Sequence, residues 1–124
     1  AMGVHTVPIN EEIMSCRSWQ EVFRCATRRC ETMDEINCVT AFHRAAKLYR
    51  EEDGGQTPVQ EVHSSEGLGT LLELVWHFVV RFRPQQLANA IWACAVLSWT
   101  DAPLLQIICD YSVKRLGHFI PQNM

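Results

Sequence analysis

The chain overlays itself. Shifted by 37 residues, Phe82 falls on Phe119, Pro84 on Pro121, Gln85 on Gln122, Gln86 on Asn123 and Leu87 on Met124. In the same register Leu68 falls on Leu105, Leu71 on Ile108 and Glu73 on Asp110. A shift of 49 brings in an earlier unit, in which Met33 matches Phe82, Ala41 matches Ala90, Phe42 matches Ile91, Ala46 matches Ala95 and Leu48 matches Leu97. An acidic insert accounts for the 12 extra residues of the longer shift. A repeat of this kind cannot bury its hydrophobic face alone, and stacking its neighbours creates a continuous core. The period of 37–38 residues exceeds the tetratricopeptide length of roughly 34 and falls short of most HEAT repeats. The expectation is an all-α chain, an α-solenoid of stacked antiparallel helical hairpins with about two and a half repeats. The pattern stops inside a repeat, so a longer parent protein is expected.

Local signals agree with helices. Ser18-Trp19-Gln20-Glu21 reads as a capping box, in which the serine hydroxyl accepts from the amide three residues on and Glu21 reaches back to the Ser18 amide. It opens a helix to about Cys30, with Trp19, Val22, Phe23, Ala26 and Cys30 on one face. Thr32-Met33-Asp34-Glu35 reads as a second box, opening a helix that carries Ile36, Val39, Phe42, Ala46 and Tyr49. Residues 51–66 contain Gly54-Gly55, Pro58 and five acids without Lys or Arg, the composition of a flexible loop. A third helix is expected over about 67–81. Pro84 suits the first position of a fourth, where its missing N–H is not needed. Asp101-Ala102-Pro103 starts a fifth, which Gly117 ends. Residues 1–17 read as a lead-in, with Pro8 as a breaker, and 18–124 as the helical-repeat domain with its acidic loop at 51–66.

Several chemistries are not supported. The longest apolar stretch, Leu68 to Phe82, is interrupted by Glu73, His77 and Arg81, so no membrane span is expected. The six cysteines form no C-x-x-C pair, and the five histidines are not spaced with them for zinc. Most cysteines fall at apolar helical positions and read as buried reduced thiols. Gly67-Leu68-Gly69 lacks the third glycine and the preceding strand of a phosphate loop. Glu11-Glu12 and Glu51-Glu52 look solvated. No nucleophile–base arrangement follows from the spacing, so neither an enzyme, a cofactor nor a metal is expected.

The segment FRPQQLANAIWACAVL, followed by APLLQIICDYSVKRLGHFIPQNM, resembles the octotricopeptide repeat, whose units carry an F-x-P-Q-x-L-A-N-x-x-W-A-type stretch. SWQEVFRCATRRCETMDEINCVTAFHRAAKL looks like a diverged unit, with Met33 for the Phe, Glu35 for the Pro and His43 for the Trp. The resemblance implies an organellar RNA-binding protein of a mitochondrion or chloroplast, acting in transcript maturation, stability or translation. Some similar proteins are built into organellar ribosomes.

The register also nominates contact residues. Arg28 corresponds to His77, and His77 to Lys114; Arg29 corresponds to Phe78 and Arg115. Aligned in a solenoid, these cations form a ladder able to track phosphates, while solvation of an amphipathic face is the plainer explanation. On the second helix of each pair, Asn37 matches Gln86 and Asn123, and Thr40 matches Asn89. Their amides and hydroxyls suit reading single-stranded bases, or else capping and hairpin-to-hairpin hydrogen bonds. Trp76, Trp92 and Trp99 offer stacking surfaces, although Trp92 and His43 fit core positions better. Residues 15–50 carry seven cations and four anions, and 67–124 four and three, so the net charge of −3 comes from outside the repeats. Two functions follow as expectations: an RNA-binding repeat gripping single-stranded RNA or rRNA, or a protein–protein scaffold inside an organellar assembly such as a mitochondrial ribosome.

Overall fold

The computed structural model describes residues 7–117, with side-chain surroundings as far as Lys114. The matches at Phe119, Pro121, Gln122, Asn123 and Met124, and the side chain of Arg115, lie outside the described residues. Within them all regular structure is helical: α1 (Ile9–Ser15), α2 (Trp19–Arg29), α3 (Glu35–Glu51), α4 (Val59–His63), α5 (Glu66–Phe78), α6 (Pro84–Val96) and α7 (Ala102–Gly117). Short 3-10 turns, Cys30–Thr32 and Val79–Arg81, follow α2 and α5.

The helix starts follow capping chemistry, with two corrections. Ser18 Oγ accepts from the Glu21 amide at 3.1 Å, as the box requires. The Glu21 carboxylate, however, accepts from the Arg17 amide at 2.8 Å, one residue short of the expected partner. The box expected at Thr32 is not used, because residues 30–32 tighten into the 3-10 turn and Met33 is extended. Asp34 caps α3 instead, accepting from the amides of Ile36 and Asn37, while Asn37 Oδ1 accepts from the Asp34 amide. Pro84 occupies the first turn of α6, and Asp101 Oδ1 accepts from the Leu104 amide at the start of α7.

The 49-residue register survives in three dimensions. Cys30–Thr32 and Val79–Arg81 are equivalent turns, each followed by an extended, buried residue, Met33 and Phe82. Trp19, Val22 and Phe23 are buried, as are their equivalents Leu68, Leu71 and Leu72. So are Cys38, Ala41 and Leu48 alongside Leu87, Ala90 and Leu97. The packing repeats as well: α2 lies against α5, and α3 against α6. α5 packs on α3 and on the turn Cys30–Thr32, and α7 packs on α6 and on the turn Val79–Arg81. One relation is not repeated. The backbones of α2 and α3 pack closely, whereas those of α5 and α6 scarcely approach.

Two segments are more structured than their composition suggests. Ile9–Ser15 is a helix packed on α2 and α3, with Ile13 fully buried, and Pro8 stands at its start. The acidic segment is a hydrogen-bonded turn followed by α4. Asp53 accepts from the amide and hydroxyl of Thr57, both at 2.8 Å, and these bonds hold its carboxyl below the usual carboxylate range. The Tyr49 hydroxyl donates to Thr57 O at 2.7 Å, and Val62 is fully buried. All six cysteines are free; Cys16, Cys25, Cys38 and Cys94 are buried, whereas Cys30 is half-buried and Cys109 exposed. Burial pushes the Cys38 thiol up to about 12 and those of Cys25 and Cys94 to about 11. At neutral pH these three are protonated hydrophobes rather than nucleophiles.

Candidate nucleic-acid interface

The cation ladder begins on residues that already have a partner. Arg28 and Arg29, in the last turn of α2, both pair with the Glu12 carboxylate of α1. Arg28 remains exposed, whereas Arg29 is half-buried and also donates to Val7 O. Glu12 is therefore a clasp between elements, not the solvated carboxylate its Glu-Glu context suggests. The Arg28 hydrogen bond, against the cost of burial, holds the Glu12 carboxyl below its ordinary value. His77 is exposed at the end of α5, its ring edge-on to Phe78 at 4.8 Å. Lys114 is exposed on α7, its ammonium 5.1 Å from the centre of the Tyr111 ring. Among the described residues no hydrogen bond or ion pair joins His77 or Lys114 to the arginines.

The sign of the Glu12 effect fixes its pH dependence. A carboxyl lowered in the folded state stabilises above its unfolded value, near 4.5, and that stabilisation disappears as pH falls through the lower folded value. Because the pair is partly solvated, its contribution is at most about 1 kcal/mol. Glu12→Gln should therefore lower the urea midpoint slightly at pH 7, and the loss should shrink as pH falls below 4.5. A loss that stays constant as the pH is lowered would mean the clasp acts by packing rather than charge.

The second-helix residues divide. Both ends of the Asn37 amide are engaged, with Oδ1 closing the α3 cap and Nδ2 donating to Asn10 Oδ1 at 2.8 Å. Thr40, Gln86 and Asn89 come together in a groove of about 210 Å³ across α3, between α1 and α6. Its polar lining is completed by His43, Arg44 and Lys47, and its apolar rim by Met14, Ile36 and Val39. None of these residues is acidic. Gln86 Oε1 accepts from the Arg83 amide at 2.8 Å, as a helix cap does, and Asn89 Oδ1 accepts from Gln85 Nε2 at 3.1 Å. Arg44 donates to Cys16 O at 3.0 Å, just past the end of α1, while Lys47 is exposed. Burial, reinforced by the Lys47 charge, keeps the His43 pKa below its usual value, so the ring is neutral at pH 7.

His43 and Trp92 are half-buried rather than core. Their rings meet at 4.9 Å on the α3–α6 seam, and Arg50 lies 5.4 Å from the Trp92 ring centre. Trp99 is half-buried against His63, and Trp76 is 44% exposed. His43, Arg44 and Lys47 were not among the candidates from the repeat register; their i, i+1, i+4 spacing on α3 was the available signal. A larger hollow of about 540 Å³ between α2 and α5 is lined by Trp19, Phe23, Arg24, Arg28 and Gly67, but also by Glu66.

No family model, curated protein or solved structure matches this chain. The groove therefore stands on its own chemistry. Among the described residues no cluster of three or more His, Cys, Asp or Glu side chains is placed to hold a metal, and no helix is long and apolar enough to cross a membrane.

Proposed function

We propose that this chain is a helical-repeat RNA-binding module of an organelle, a non-catalytic α-solenoid of the octotricopeptide kind. It holds single-stranded RNA or rRNA across the α3–α6 face. The observation that carries this reading is the groove that gathers Thr40, Gln86 and Asn89 with Arg44 and Lys47 and has no carboxylate in its lining. Cations supply salt-dependent attraction to phosphates, and amides and hydroxyls supply contacts to splayed bases. The 49-residue recurrence of caps, turns and core positions supports the solenoid reading. The ladder has a smaller part, since Arg28 and Arg29 must share their charge with Glu12.

Fluorescence polarisation with a labelled single-stranded RNA, at salt concentrations of about 50 and about 200 mM, tests this. Binding should weaken steeply with salt, and Lys47→Glu should weaken it more than Lys114→Glu. Removing one phosphate contact lowers the slope of log K against log salt by about 1. Affinity that is independent of salt, or unchanged by Lys47→Glu, would remove the groove from the interface.

One observation favours the scaffold reading. Trp76, Val80 and Val113 are 44%, 52% and 70% exposed on α5, the turn after it and α7. Exposed apolar groups of this size mark protein contacts when they form a patch. A partner subunit of a large organellar complex would cover them, and the chain alone would self-associate. Sedimentation as a monomer at all concentrations counts against that reading.

A further inference from the structure

The groove is unbalanced in hydrogen-bonding type. Each of its two amides has its oxygen engaged within the protein and its nitrogen left over. Gln86 Oε1 is taken by the Arg83 amide, a donor-only partner that fixes the orientation of the side chain. Asn89 Oδ1 is taken by Gln85 Nε2. Among the described residues neither amide nitrogen has a hydrogen-bond partner. Lys47 adds three donors and no acceptor. Arg44 is likewise donor-only, with one terminal nitrogen already given to Cys16 O. The neutral His43 brings one donor and one acceptor and Thr40 one donor and two lone pairs, which trims the excess without cancelling it. No carboxylate lines the groove to offset it.

We infer that the groove meets a base at its exocyclic 4- or 6-position, favouring the keto oxygens of uracil and guanine there over the amino groups of cytosine and adenine. The inference rests on the RNA-binding reading and specifies its substrate class. Uracil presents an oxygen where cytosine presents an amino group, and guanine presents O6 where adenine presents N6. A keto oxygen pairs with a surplus donor. An amino group meets another donor, finds no partner on desolvation and is rejected, as sites built to hydrogen-bond one group reject an analogue that cannot respond. Gln86 is the residue whose role is best determined, because capping α6 leaves its nitrogen no alternative orientation.

The test compares a uracil-only with a cytosine-only RNA octamer, both unstructured pyrimidine strands of equal charge, by fluorescence polarisation on the full chain. The uracil strand should bind at least roughly fivefold tighter, the lower end of discrimination by one good base contact. Gln86→Glu then tests the cause. The new carboxylate still accepts from the Arg83 amide, so the cap is retained, but the unpartnered NH2 becomes an oxygen. Affinity for both strands falls with the added charge, and the uracil-to-cytosine ratio should drop to one or below. Helical content by circular dichroism checks that the variant is folded. Equal binding of both strands by the native chain overturns donor selection while leaving RNA binding in place, as does a ratio that survives Gln86→Glu. Failure to bind either strand overturns both this inference and the function beneath it.

Discussion

Phe82→Ala is expected to lower the stability of the chain by about 3–5 kcal/mol, the usual range for emptying a buried aromatic site. Phe82 is fully buried, and its amide is tied to Val79 O at 3.1 Å, so it is the wedge that turns the chain from α5 into α6. Its equivalent, Met33, turns α2 into α3 and is nearly as buried. Small domains have only about 5–15 kcal/mol in total. The substitution therefore removes a large share, and a urea titration followed by circular dichroism will show a sharply reduced midpoint. Phe82→Leu should recover more than half of the loss by refilling most of the volume. A loss below about 1 kcal/mol, less than the range for emptying any large core site, would show that the corner is not held by this ring. The phenylalanine that makes the repeat recognisable is thus a packing residue with no exposed surface.

Gly67→Ala should be the next most damaging change, although it adds only a methyl group. A Cβ there would lie 2.3 Å from Phe23 Cβ and 2.4 Å from Phe23 O, so backbone as well as side chain must move. Gly67 is where α5 comes down on α2. Overpacking of this kind typically costs about 1–3 kcal/mol. Gly69, two residues on in the same helix, has nothing within 4 Å of an added Cβ. Gly69→Ala should therefore stabilise by up to about 1 kcal/mol through helix propensity alone. Opposite shifts of the two thermal midpoints are the expected signature. If both variants stabilise, α2 and α5 are free to move apart, and the contact does not set their spacing.

Features governed by short-range chemistry were legible in the sequence. Ser18, Pro84 and Asp101 announced helix starts, and the register identified core positions such as Val22 with Leu71 and Ala41 with Ala90. Features that depend on distant partners were not. Glu12 meets Arg28 and Arg29 only because α1 lies across α2 and α3, which nothing within a turn of Glu12 indicates. Asn37 was nominated by its match to Gln86 and Asn123, and its amide makes the alternative contacts instead, closing the Asp34 cap and bonding Asn10. The glycine pair at 67 and 69 fails as a phosphate loop in the sequence, but nothing there shows that Gly67 serves close helix approach. The groove falls between these cases. Thr40, Gln86 and Asn89 were visible as matched positions, but the contribution of His43, Arg44 and Lys47 required knowing which face of α3 is left open between α1 and α6.

The insert between the repeats also bears on how the chain comes apart. A stack with contacts only between neighbours can unravel one unit at a time. Here Val62 is sunk into the core, and His63 of the same short helix donates to Leu97 O, 2.6 Å away at the far end of α6, beside the edge of Trp99. The linker thereby fastens to the end of the unit that follows it. Peeling that unit away breaks the linker's own anchorage, so melting should run as a single concerted transition instead of a staircase.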